Sequence, residues 1–297
     1  MRSGGWREAV LGLALVAPPL VVLIMLILIP AVQATTFSLG LVPAENLTFS
    51  TGQHLVNTQT PTVQVYQDLL ASSFVRDDLG LTIWITVISV VLVAIVSYVL
   101  ALYVRFGGGW LPRIVRSLYL VPMFVPVVIA TYAAITFYVD RGVLNALLHA
   151  VGLPYSSPAY KPNGVIITQV WFNIPFAVLM LGSGLDGIEQ ELIDSAHDVG
   201  AGFLTVLWRI ILPMNMVPLL IVLTFTFIGV IGSFTIPFLI GPNAPQMMGV
   251  AIQAYFSNYN QPQAAVAMAV LLFLISALAG VVYVWATTHS NKHAVTV

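Results

Sequence analysis

The chain contains no cysteine. That excludes disulfides, thiolate metal sites and cysteine nucleophiles, and it leaves the redox compartment undetermined. Charge is also scarce. Ten Lys and Arg and eleven Asp and Glu make up only 7% of 297 residues, against roughly 25% in an average soluble domain. So few charges cannot clothe a water-facing surface of this size. The formal net charge of −1 offers no basic patch to neutralise phosphates, which argues against nucleic acid as a partner. No G-x-x-x-x-G-K-[ST] phosphate loop occurs. There is no internal repeat and no low-complexity segment.

What is present is apolar. Hydrophobic residues form 59% of the chain and the mean hydropathy is +0.97, which together specify an all-α integral membrane protein. A bilayer core of about 30 Å needs about 20 apolar residues in a helix. Six segments qualify: Ala9–Val32, Leu81–Val104, Ser117–Tyr138, Val165–Leu185, Met214–Ile240 and Ala264–Thr287. None of their cores contains Asp, Glu, Lys or Arg. Arg2, Arg7 and the Val32-Gln33-Ala34 sequence give the first segment the flanks of a signal peptide. Its apolar stretch exceeds the usual 7–15 residues, so a retained helix is expected.

Lys and Arg set the orientation. With the N-terminus inside, Arg2, Arg7, Arg105, Arg113, Arg116, Arg209 and Lys292 are cytoplasmic, and Arg76, Arg141 and Lys161 are outside. Seven against three places both termini in the cytoplasm. The expected organisation is an N-terminal span (1–35), an extracytoplasmic loop (36–80), a five-helix core (81–287) with a cytoplasmic loop at 186–213, and a tail (288–297). Asn46-Leu47-Thr48 matches a glycosylation acceptor, a pattern common by chance. Prolines recur in the spans (Pro18, Pro19, Pro122, Pro126, Pro175, Pro218, Pro237). Each lacks an N–H, so bent helices around a cavity compete with the ordinary abundance of membrane proline.

One segment breaks the apolar rule. In DGIEQELIDSAHDVGAGFLTVLWRIILP, residues 186–213, lie five of the eleven acids: Asp186, Glu189, Glu191, Asp194 and Asp198. On a helix Glu191, Asp194 and Asp198 fall within about 60° of one another. Leu192, Ala196 and Val199 fall on another face, and Gly200 is placed to end the helix. Small residues (Ser195, Ala196, Gly200, Ala201) leave room for a partner surface. A solvated interfacial loop and a protein-docking element both fit.

The same residues resemble the EAA loop of permeases from binding-protein-dependent ABC importers. Asp194-Ser195-Ala196 stands where the family has Glu-Ala-Ala, Gly200-Ala201 supplies the Gly-Ala, and Ile210-Ile211-Leu212-Pro213 the Ile-x-Leu-Pro end. Asp194 for Glu and Ser195 for Ala are the departures. Phe227–Leu274 and Tyr138–Leu153 are similar to polyamine-type (spermidine/putrescine-like) permeases, and the likeness covers roughly residues 80–287. The resemblance implies a type I importer permease fold in the bacterial inner membrane. It implies ATPase-coupling residues Glu191, Asp194, Ser195, Ala196, Asp198, Gly200 and Ala201. It also implies two cytoplasmic ATP-binding subunits that hold ATP and Mg, with no cofactor on this chain. A second permease, identical or homologous, and an extracytoplasmic solute-binding protein complete the implied set, together with membrane lipid.

Polar side chains inside spans are candidates for the solute pathway: Tyr132, Thr136, Gln169, Asn173, Ser233 and Thr235. Interhelical hydrogen bonding competes with that role for each of them. Trp171 and Phe172 are read as packing residues. Asp77, Asp78 and Asp140 stand near the outer mouth or merely flank helix ends. Two other classes remain. An ion-gradient-driven secondary transporter commonly has internal repeats and intramembrane ionisable groups, and this chain shows neither. An intramembrane enzyme needs an acid–base group at membrane depth, yet His149 and His197 lie in or near loops.

Overall fold

The computed structural model describes residues 6–42, 52, 54–58 and 60–293. Arg2 and the Asn46-Leu47-Thr48 acceptor lie outside them. Every regular element among the described residues is helical. Among the described residues five helical stretches are long and apolar enough to cross a bilayer, Val127–Ala150 among them, or six if one sharply bent pair is a single span.

Helix α1 joins Trp6–Leu23, a π-turn at Ile24–Leu28 and Ile29–Ser38 into one rod that carries Pro18 and Pro19. Val32-Gln33-Ala34 lies inside it. Helix α2 (Gln64–Ala71) is a short amphipathic piece that buries Val65 and Leu69, one turn apart. Helix α3 (Ser73–Phe106) begins at Ser73, not at Leu81.

The expected third span, Ser117–Tyr138, is not one helix. It divides into α4 (Leu111–Leu118), a 3₁₀ turn (Val121–Phe124) and α5 (Val127–Tyr138). Pro122 and Pro126 cause the break. Neither donates a backbone hydrogen bond, and Val125, which precedes Pro126, is extended (φ −101°, ψ 123°). Helices α6 (Val143–Ala150) and α7 (Pro162–Asp186) follow, and Pro175 is accommodated within α7.

Next come α8 (Gln190–Asp198) and α9 (Phe203–Met214), the latter containing a π-turn at Leu207–Ile211. Helix α10 (Met216–Ile231) leaves α9 at 69°. The expected fifth span, Met214–Ile240, also ends early: Gly232 and Ser233 interrupt it before α11 (Thr235–Ile240). Helices α12 (Met248–Gln253) and α13 (Pro262–His293) complete the chain.

Two compact units emerge. The first combines Met1–Ser72 with Ile252–Leu271. Within it Gln263 is a hub, only 2% exposed. Its Oε1 accepts the Val56 N–H at 2.8 Å, and its Nε2 donates to the carbonyls of Phe37 (2.9 Å) and Val56 (2.8 Å). Every polar group of that amide is thereby used, as burial demands. Most of α1, by contrast, is exposed along its apolar length.

The second unit combines Ser73–Ala251 with Leu272–Val297. Helices α3 and α7 form its principal pair, and α10 packs on both. The buried face of α3 carries Thr82, Thr86, Ser89, Val93, Ser97 and Ala101, spaced three or four residues apart. Small side chains let the backbones approach, which drives helix association in lipid. Thr82 and Thr86 return their hydroxyl protons to carbonyls one turn back, at 2.6 and 2.7 Å. Gly184 of α7 lies directly against Asn215 and Pro218, so a Cβ there would collide with both.

Candidate coupling segment and polar pathway residues

Residues 186–213 fold onto the spans through one apolar cluster. Ile188, Ile193, Val206 and Ile211 from this segment join Val93 and Ala101 of α3, Leu181 and Leu185 of α7, and Val222 of α10. All of them are at most 5% exposed. The segment is therefore mechanically continuous with three spans. Helix α8 ends at Gly200, whose φ of +86° lies in the left-handed region that favours glycine. The Ala201 N–H reaches back to the Ala196 carbonyl at 3.0 Å, and the His197 Nδ1 meets the Ala201 carbonyl at 2.9 Å.

Glu191, Asp194 and Asp198 are exposed, as the acidic stripe requires. The apolar face differs from the sequence reading. Ile193 is the buried anchor and Ala196 packs beside it, whereas Leu192 is exposed and Val199 is 85% exposed. The return of α9, which brings Val206 and Ile211 into the cluster, decides which side of α8 faces inward. An exposed acidic and apolar surface remains, extended by Phe203, Leu204 and Trp208. Ser195 turns its hydroxyl to the Glu191 carbonyl (2.7 Å), and Gln190 donates to the Asp194 carboxylate (2.9 Å).

The pathway candidates separate into two groups. Gln169 is buried on α7 and donates through Nε2 to the Ser233 hydroxyl at 2.7 Å. Asn173 donates to the Gln169 carbonyl at 2.8 Å. The break between α10 and α11 thus puts Ser233 against α7. Close approach also occurs there: a Cβ on Gly249 would strike the Ser233 carbonyl. Thr235 is half-buried at the start of α11. Tyr132 and Thr136 are exposed on α5, and Thr136 spends its hydroxyl on the carbonyls of Tyr132 and Ala133. A cavity of about 310 Å³ opens between α5 and α7, lined by Ala130, Ala134, Phe137, Tyr138, Thr168 and Trp171. Trp171, read from the sequence as packing, is one of its walls.

Asp78 is a residue whose part the sequence did not disclose. Its carboxylate accepts the Gln246 N–H at 2.8 Å, and Thr82 Oγ1 accepts the Met248 N–H at 2.8 Å. Together they satisfy backbone donors where α12 begins and tie the loop after α11 to α3.

Residues 97–292 match the family described as binding-protein-dependent transport system inner membrane component. The chain belongs to that family. This permease is 29% identical over 200 residues to the Sinorhizobium fredii "Probable ABC transporter permease protein y4oQ", covering 65% of this chain and 63% of that one. It is 27% identical over 210 residues to the spermidine/putrescine transport system permease protein PotB of Escherichia coli, covering 67% and 76%. Its fold is similar to that of a bacterial ABC transporter involved in the import of the acidic polysaccharide alginate. There the TM-score is 0.75 at 17% identity, over 96% of both chains. The family match includes α8 and the surface it exposes.

Proposed function

We propose that this permease is one transmembrane half of an ATP-driven importer, coupled through α8 to a separate ATPase. One observation carries this reading. Helix α8 is exposed on its acidic face and on Leu192 and Val199, while Ile193 roots it in the cluster shared by α3, α7 and α10. A partner that moves α8 must move those spans. Glu191, Asp194, Ser195, Ala196, Asp198, Gly200 and Ala201 form the docking element. ATP and Mg belong to that partner, because this chain has no phosphate loop.

The assembly has two such ATP-binding subunits, a second permease and an extracytoplasmic solute-binding protein, in the bacterial inner membrane with both termini cytoplasmic. ATP acts by binding the states of the assembly unequally, which is the only way a ligand shifts an equilibrium. Gln169, Asn173 and Ser233, with Thr235 beside them, form the polar lining of the pathway, and Tyr132 and Thr136 a second polar patch. Relatives named for cationic polyamines and for an acidic polysaccharide do not choose the solute. No observation favours the ion-gradient alternative.

The test is Gly200→Asp in the affinity-tagged chain expressed in its own membranes. The chain should insert at normal levels but lose the co-purifying polypeptide that carries a phosphate-loop sequence, and with it ATP hydrolysis. Retention of both at wild-type levels would overturn the coupling assignment.

A further inference from the structure

Helix α4, LPRIVRSL, divides its residues by character. At about 100° per residue Leu111, Ile114, Val115 and Leu118 share one arc of about 100°, and Arg113, Arg116 and Ser117 the opposite one. Leu111, Ile114 and Leu118 are all exposed. The helix is bound closely to the end of α3, because a Cβ on Gly107 would meet Pro112 of α4. Exposed Tyr103 and Trp110 flank the turn, the aromatic pair expected at a membrane–water boundary. An amphipathic helix with basic residues on its polar side lies in such a boundary plane.

Beneath α4 is a cavity of about 290 Å³ between α3, α4 and α7, lined by Arg105, Arg116, Tyr119, Gly182, Ser183 and Asp186. Two arginines and one carboxylate residue are among its lining. Asp186 sits 3.4 Å from the Arg105 Nε and is mostly exposed. Among the described residues Arg116 has no ion-pair partner. The cavity therefore holds one positive charge in excess, with a phenol and a hydroxyl beside it.

We propose that this cavity seats the headgroup phosphate of an anionic phospholipid, whose acyl chains cover the apolar stripe of α4. Charge complementarity selects the occupant. Arg105 and Arg116 suit a phosphate oxyanion, Tyr119 and Ser183 supply neutral donors, and the uncharged stripe suits hydrocarbon. A soluble anion uses the first feature and leaves Leu111, Ile114 and Leu118 in water. A zwitterionic lipid uses the second but brings its own cation to a site already positive. Asp186 competes with the phosphate for Arg105, so its negative charge tunes occupancy. Asp186 also ends α7, three residues before the cap of α8, so the bound lipid holds the root of that segment. The proposal rests on the membrane placement of the family and not on the ATPase assignment.

The experiment is native mass spectrometry of the full-length chain in neutral detergent, titrated with phosphatidylglycerol and phosphatidylcholine of matched chain length. The wild type should retain phosphatidylglycerol preferentially. Arg116→Gln should reduce that preference about fivefold, and Asp186→Asn should raise it by a similar factor. Arg116→Lys, which keeps the charge, should recover most of the preference. Opposite signs for two neighbouring substitutions are not expected of a purely structural lesion. Equal retention of the two lipids, or a loss of preference in Asp186→Asn, would overturn the site. Displacement of phosphatidylglycerol by millimolar inorganic phosphate would reassign it to a soluble anion and overturn the lipid.

Discussion

Helices α3 and α8 belong to one chain and differ in where they put polar groups: α3 buries a row of hydroxyls, α8 exposes its carboxylates. Helix α3 buries Thr82, Thr86, Ser89 and Ser97 alongside Ile85, Val90 and Val93, and it exposes Ile83, Trp84, Val87, Val91, Ile95 and Val99. Helix α8 buries Ile193 and exposes Glu191, Asp194 and Asp198. The backbone is the same and the solvent differs. Hydrocarbon removes any reward for hiding large apolar groups, so closeness of approach decides what faces inward. Water restores that reward, so one isoleucine suffices to fix α8.

The contrast yields graded expectations. The largest effect is expected at Gly184, where Gly184→Leu drives a side chain into Asn215 and Pro218 and displaces the Asn215 amide from the Leu181 carbonyl. The cost is upward of about 3 kcal/mol, read as loss of the monodisperse peak in detergent chromatography. Ile193→Ala comes second, at about 2–3 kcal/mol, toward the low end for such truncations because a short loop can settle into the space. Scanning fluorimetry of the solubilised chain should record a lower midpoint. An unchanged midpoint would mean that α8 is not anchored through its buried face.

Gly200→Ala has open space but an unfavourable φ, and it should cost about 1 kcal/mol. Limited proteolysis should then cut faster after α8 while the spans stay intact. Smallest is Asp194→Asn, which leaves a surface hydrogen-bonding group in place and should move stability by less than about 0.5 kcal/mol. If Asp194→Asn destabilised as much as Ile193→Ala, the outward face of α8 would be structural, and the contrast with α3 would fail.

Much of this arrangement was legible in the residues. The long apolar runs announced their helices because length and composition alone decide whether a segment can span. The segment at 186–213 was conspicuous for the reverse reason, since its charge demanded water. The interruptions were less visible. Pro175 stays inside α7 while Pro122 and Pro126 break a helix, and only the surrounding packing separates the cases. The bend at Asn215 has no local signature beyond the preceding Pro213. On α8 the sequence favoured Leu192 and Val199 because a nine-residue helix carries apolar groups on more than one side; the choice of Ile193 is made by α9. Among the pathway candidates, Gln169 and Asn173 could be paired by spacing, whereas Ser233 reaches them only through the break after α10. Asp78 looked like a helix-end charge, and its partner Gln246 lies too far along the chain for any periodicity to reveal.

The Gln263 amide carries a consequence for the timing of synthesis. It is the side chain that satisfies the Val56 N–H and carbonyl and the Phe37 carbonyl, yet it is made after more than two hundred intervening residues. A ribosome that has delivered α1 and α2 has not yet supplied the group that binds Phe37 and Val56. The Val56 N–H and the Phe37 and Val56 carbonyls wait for that partner until the start of α13 arrives. Satisfaction of these backbone groups is thereby tied to the arrival of α13, so a chain released before it leaves them unpaired for quality-control proteases to find.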